Sequence, residues 1–319
     1  MTIDRRTFVK VAGAELGLLA AAAACGRAVP TTMAPPPKPA PRTGKSDTYD
    51  FVVIGAGAFG GWTASHLQES GARVLLVDQY GPGNSRATSG DETRGVRSSY
   101  GDRPTDLWVR WARRAMERWK QFDREWAVEH TGRLFFTTGD LIMRREWDNF
   151  TRKTRDLWRK LEIPHEVLPV DEVRARYPVI DLKDIAVVLY EPDAGVVRSR
   201  RACEAVAHRL VRRGGEIRVA YGALGERTGR RLDTIALENG DRVSAGAYCF
   251  ACGPWSPKVF PALLGPIMQV PVGHVCYFGT PPGDERFTFP NLPSYNFPGV
   301  TGWPALVPDN RGFRVRTGG

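Results

Sequence analysis

Three glycines at the spacing Gly55-x-Gly57-x-x-Gly60 have the plainest chemical use of any residues in this 319-residue sequence. The first glycine permits a tight turn, the second lets the backbone approach a diphosphate, and the third lets a helix pack closely on a strand. The N–H groups and positive dipole end of the helix that follows would bind the phosphates. Asp78, 18 positions past Gly60, can accept hydrogen bonds from a ribose hydroxyl, and its charge would repel a 2′-phosphate, which argues against NADP. Further along stand Arg94 and Arg97. A guanidinium stays charged in any site and offers a planar fork to a carboxylate. Three residues apart in a helical turn, the two would share a face.

These residues need elements to hold them. The apolar run Tyr49 to Ile54 has strand length and feeds straight into the glycine pattern. Gly61 to Ser70 carries Ala64 and Leu67 at helical spacing and stops at Gly71. A second apolar strand, Arg73 to Val77, then delivers Asp78. Strand, turn, helix and strand within about 30 residues form the context that a dinucleotide-binding glycine loop requires. The unit alone leaves FAD and NAD open. Downstream, Ala247 to Phe250 leads into Ala251-Cys252-Gly253-Pro254-Trp255. A strand ending in Ala-x-Gly before a small-residue turn and an aromatic resembles the second flavin-contacting motif of glutathione-reductase-like FAD proteins, and this resemblance points to FAD.

Other patterned segments read as packing. Thr105 to Glu129 is a long helical stretch whose Leu107, Trp108, Trp111, Met116, Trp119, Phe122 and Trp126 form one expected core face. Ser199 to Arg213 reads as a second packing helix, Ile217 to Val219 as a strand, and Leu237 to Val243 as a hairpin with an Asn-Gly turn. Cys249 and Cys252 have C-x-x-C spacing without a second pair for zinc, and read as small buried residues. His66, His130, His165 and His208 have no evident partners, and His274 is a candidate for a pocket wall. No metal-ligand cluster is expected.

Composition agrees with a folded globular chain, with 42% hydrophobic and 25% charged residues. The formal charge of +10 would suit nucleic acid, but residues 1–45 hold seven basic and two acidic residues, so half the excess lies there and no nucleic-acid partner is expected. That stretch reads as a leader. Arg5-Arg6-Thr7-Phe8-Val9-Lys10 precedes a mostly apolar run from Val11 to Ala24, too short for a permanent span. The arginine pair resembles a twin-arginine export signal, which carries folded proteins outward. Ala22-Ala23-Ala24-Cys25-Gly26 resembles a lipoprotein cleavage box, making Cys25 a possible lipid anchor, and the Pro-rich stretch to Lys45 a tether. The protein is therefore expected to be exported, periplasmic or membrane-tethered.

Between the two nucleotide motifs, Ser85-Arg86-Ala87-Thr88-Ser89-Gly90-Asp91-Glu92-Thr93-Arg94-Gly95-Val96-Arg97-Ser98-Ser99-Tyr100-Gly101 resembles a segment of the D-amino-acid-oxidase superfamily. The resemblance is strongest to its monomeric sarcosine oxidase and N-methyltryptophan oxidase branch. Thr131-Gly132-Arg133-Leu134 and the turn Glu191-Pro192-Asp193-Ala194-Gly195-Val196-Val197 are similar to further family motifs, so the likeness runs over residues 48–319. It implies an α/β fold, with a Rossmann-like FAD/NAD(P)-binding domain from 46–128 and 195–268. A second, mixed-sheet α+β substrate domain takes 129–194 and 269–319, with 1–28 the export signal and 29–45 the linker.

The resemblance also implies roles. Cofactor contacts fall at Gly55, Ala56, Gly57, Ala58, Phe59, Gly60, Asp78, Gln79, Ser85, Thr93, Arg94, Gly253 and Trp255. Arg94 sits beside the flavin, Arg97 pairs with a substrate carboxylate, and Arg314 replaces a lysine that helps oxygen react. Ser89 and Gly90 stand where the family has histidines, and Thr301 where it has a pocket tyrosine. The chain ends at Gly319, before a Gly-rich family segment that returns to the flavin, and is expected to be incomplete. The reading is an FAD-dependent oxidoreductase that oxidises the C–N bond of a small amine or amino-acid substrate and passes electrons to oxygen or a redox partner. Its alternatives are a flavin dehydrogenase coupled to a quinone or redox protein, and a non-catalytic dinucleotide-binding fragment.

Overall fold

The computed structural model describes residues 48–307 and 311–317. The export signal, the linker and Cys25 lie outside the described residues. Two sheets carry the fold. The first has six strands in the order Gly222–Leu224, Thr234–Leu237, Arg242–Phe250, Thr48–Ile54, Val74–Asp78, Glu216–Val219. Its central strand, Thr48–Ile54, runs parallel to both neighbours. Parallel strands covered on both faces must be apolar throughout, and Val52, Val53, Val74, Leu75, Leu76 and Val77 are all buried. The helices Ala58–Glu69 and Ser199–Arg212 pack on this sheet, the second through Leu210.

The second sheet is mixed and has seven strands: Val275–Phe278, Phe313–Thr317, Val300–Trp303, Ser294–Phe297, Asp140–Arg144, Val187–Glu191 and Glu166–Val167. A small three-stranded sheet, Arg94–Val96, Gly195–Val197, Phe135–Phe136, accompanies them. The α/β fold with a Rossmann-like sheet and a second mixed sheet is as expected, and the Asn-Gly hairpin joins Thr234–Leu237 to Arg242–Phe250.

Three expectations need correction. Arg94 and Arg97 do not share a helical turn: Arg94–Val96 is a strand, paired with Gly195–Val197. Alternation along a strand separates positions three apart. The long helix, Leu107–Glu129, buries Met116, Phe122 and Trp126, but Leu107, Trp108 and Trp111 are exposed at its first turns. His130 is also partnered, stacking on Trp126 with ring centroids 3.5 Å apart, while the His208 ring packs edge-on against it at 5.4 Å. No helix among the described residues is long and apolar enough to cross a membrane.

Candidate active site

The glycine loop lies at the C-terminal edge of the first sheet. Gly55 has φ +105°, a conformation that disfavours side chains, and a Cβ there would meet the Ala251 carbonyl oxygen at 2.3 Å. The two nucleotide motifs therefore touch: Ala251 N donates to the Ile54 carbonyl at 2.7 Å, next to Gly55. Gly60 packs so closely on the loop that a Cβ would stand 1.7 Å from the Gly55 carbonyl oxygen. Gly57 is different, with ordinary extended dihedrals and only the Ser89 hydroxyl within 3.3 Å of a built Cβ.

The loop fits a dinucleotide diphosphate. Gly57 provides no side-chain cap to the helix Ala58–Glu69, and the first turn has no acidic residue to occupy its positive end. Phe59 is 86% exposed. The Asp78 carboxylate accepts from Ala56 N at 2.7 Å and from Tyr80 N at 2.8 Å, which fixes it beside the loop with acceptor capacity to spare. Gln79, Ser85 and Gly253 are exposed, and Trp255 is half-buried. Cys252 is no thiolate: burial pushes its pKa up to about 11.

The segment Ser89 to Arg97 leads from that loop to a cleft. At one end, the Ser89 hydroxyl accepts from Ala58 N at 3.0 Å. At the other, Arg97 lines a cleft whose walls include Gly95, Asp140, Ser294, Asn296, Thr301 and Trp303. Between them Arg94 donates to the Thr88 carbonyl at 2.7 Å and lies 3.6 Å from Asp91. The Nε atoms of both Arg94 and Arg97 are buried without a hydrogen-bond partner. Thr93 is buried, its hydroxyl receiving the Trp303 indole N–H at 2.8 Å and lying 3.1 Å from the Tyr277 hydroxyl.

Arg314 is anchored in the interior by Asp91. It is 1% exposed, donates to Asp91 at 3.1 and 3.3 Å, and stacks over the Trp303 ring at 4.0 Å. Its charge is held inside the protein by a half-buried carboxylate. His274 is exposed and lies outside the cleft wall, because the strand that follows it is at the sheet edge. Thr301 does line the cleft.

Sequence reasoning passed over several structural roles. Asp91, within the quoted Gly-Asp pair, is a hub that also receives the Tyr277 hydroxyl at 2.7 Å. Glu191, within the quoted Glu-Pro turn, is fully buried, accepts from Ser98 N at 2.9 Å and from the Ser98 hydroxyl, and lies 3.6 Å from Arg113. Asp193 in the same turn receives Arg113 at 2.7 Å and Lys120 at 3.1 Å, stapling the long helix to it. Asp140 had a readable signal, an acid opening the apolar run Leu141-Ile142-Met143.

Burial raises the Glu191 pKa from 4.5 to about 7, with Ser98 opposing and Asp140 reinforcing the shift. Because the fold disfavours the ionised form, Glu191 contributes stability that is complete below about 4.5 and lost as pH rises through about 7. Glu191→Gln should remove that loss. In urea titrations at pH 5 and pH 8, the variant is expected to gain on the order of 2–3 kcal/mol relative to wild type across the interval.

Comparison with known proteins agrees with this geometry. Residues 50–317 match the DAO family model, described as FAD dependent oxidoreductase, and the chain belongs to that family. The chain is 31% identical over 221 residues to a monomeric sarcosine oxidase of Streptomyces avermitilis, covering 67% of this chain and 54% of the relative. It is 25% identical over 264 residues to an N-methyl-L-tryptophan oxidase of Yersinia pestis, covering 82% and 65%. The chain thus spans between about half and two thirds of the length of these relatives. Among solved structures, the fold is shared with the L-proline dehydrogenase from P. horikoshii, with a TM-score of 0.69 at 17% identity over 86% of this chain and 71% of that one. It is shared too with a glycine oxidase from Bacillus cereus, with a TM-score of 0.66 at 20% identity over 85% and 70%.

Proposed function

We propose that this chain provides the FAD site and part of the substrate site of an enzyme that oxidises the C–N bond of a small secondary amine or amino acid, with hydrolysis of the resulting imine in water. The observation that carries this reading is the single segment that begins on the dinucleotide loop at Ser89 and ends in the cleft at Arg97. Bound FAD would supply the two-electron acceptor. Gly55, Gly57 and Gly60, with the helix start, would hold its diphosphate. Arg94 would offer positive charge beside the cofactor, where burial pulls its pKa down without neutralising it. Arg97 would anchor the substrate carboxylate through its unspent Nε and fork.

Arg97→Gln should fold normally and lower kcat/KM for an N-methyl amino acid about 100-fold, the worth of a charged hydrogen-bond pair. Steady-state turnover checks this. An absorbance spectrum of the full chain without a flavin band, together with no imine product from any N-methyl amino acid, would sink the whole reading.

One observation favours a dehydrogenase that hands electrons to a quinone or redox protein. Arg314 is ion-paired to Asp91 rather than free in the site. Peroxide formed in step with substrate loss marks oxygen as the acceptor, and its absence marks the redox partner. Export through the twin-arginine-type leader, with lipidation at Cys25, completes the proposal. Cell fractionation before and after Arg5→Lys/Arg6→Lys substitution tests it.

A further inference from the structure

We propose that Asp140 recognises the substrate nitrogen, so that the cleft selects a zwitterion over a simple amine or a simple acid. The assignment rests on the amine-oxidising reading of the same cleft and deepens it.

Asp140 is 4% exposed and lines the cleft, yet its Oδ2 atom is buried with no hydrogen-bond partner. Sheet register places it directly between Ser294 and Glu191. Two buried acids side by side are unfavourable, and an unmet carboxylate oxygen in a protein interior is more so. Glu191 is satisfied by Ser98, whereas Asp140 is not. Burial pushes the Asp140 pKa up, and the cations that oppose the shift are Arg97 and Arg144. Arg144 is already committed to the Met143 carbonyl, Asn296 and Asp148. Arg97 has no ion pair among the described residues, and its Nε is unmet. Nothing in the fold accounts for leaving both groups unspent.

Three other polar side chains of the cleft are taken. Ser294 lies 2.9 Å from the Thr138 hydroxyl, Asn296 receives Arg144, and the Tyr295 hydroxyl donates to the Arg314 carbonyl. Asp140 is the acid in the wall and Arg97 the unspent base. An amine and a carboxylate borne by one small molecule complement that pair, the amine meeting the unpartnered Asp140 Oδ2 and the carboxylate the unpartnered Arg97 Nε.

The test uses two unreactive probes of the same shape. Trimethylglycine and 3,3-dimethylbutanoate share a carboxylate and differ in the charge at the branched centre. In calorimetric titration of the FAD-loaded full chain, trimethylglycine is expected to bind about tenfold or more tightly. Asp140→Asn should bring the ratio to about one without weakening 3,3-dimethylbutanoate, while Arg97→Gln weakens both. A wild-type protein without the preference, including one that binds neither probe, overturns the proposal. So does a preference that survives in a folded Asp140→Asn variant. If that variant does not fold, the wild-type ratio decides. Binding is read without turnover, so a protein that shows the preference but oxidises no amine refutes only the parent reading.

Discussion

Gly60→Ala is expected to yield little soluble protein, and Gly57→Ala to yield well-folded protein that has lost its flavin. The two changes add the same methyl group three residues apart. At Gly60 the new carbon would lie 1.7 Å from a backbone oxygen of the loop and 3.1 Å from the Ala251 Cβ. Backbone must move, at a cost of about 3 kcal/mol or more. At Gly57 the backbone is ordinary and the nearest atom is a rotatable hydroxyl 3.3 Å away. Stability should change by about 0.5 kcal/mol or less. A methyl at the mouth of the loop nevertheless keeps a diphosphate from reaching the N–H groups, and FAD affinity should fall about 100-fold. Thermal melts and flavin retention on gel filtration separate the two outcomes. Equal loss of fold in both variants would refute the assignment of Gly57 to the cofactor.

Asp91→Asn should destabilise the fold by about 3–5 kcal/mol, because it leaves the Arg314 guanidinium buried with one fewer charge to answer it. The carboxylate also receives the Tyr277 hydroxyl and lies within ion-pair distance of Arg94, so the loss spreads through the segment joining loop and cleft. Asp91→Asn combined with Arg314→Met should recover most of that stability, since a flexible apolar chain can lie along Trp303 in place of the guanidinium. Chemical denaturation of the two single variants and the double variant gives the coupling directly. Additive losses would mean that the pair contributes nothing as a unit.

The glycine loop was readable from sequence because each of its requirements is local. A turn, a close approach and a helix start are dictated by residues within about six positions. The strands and the Asn-Gly hairpin of the first sheet were readable for the same reason. The arginine segment was legible in identity but not in geometry. Arg94 and Arg97 look like helical neighbours until Gly195–Val197, about a hundred residues away, pairs with Arg94–Val96 as strand. The pairing of Arg314 with Asp91, 223 positions earlier, was not legible, because no local pattern carries that contact. The exposed first turns of the long helix failed on the same ground, since periodicity identifies a face without saying how far its cover extends. Glu191 is invisible to pattern rules that expect acids at the surface, and Asp140 showed only as an acid opening an apolar run, because both are buried against the economy of a core.

The contact between Gly55 and the Ala251 carbonyl also sets a timetable for synthesis. The loop that holds the cofactor cannot close until a strand about 200 residues further along has been made. At ribosomal speeds of about 5–20 residues per second, the opening strand and helix wait roughly 10–40 s for it. Throughout that interval the nascent chain has an unpaired central strand edge and no finished nucleotide pocket. Cofactor capture is thereby a late event in the life of the polypeptide, and early chain segments depend on protection from other proteins rather than from FAD.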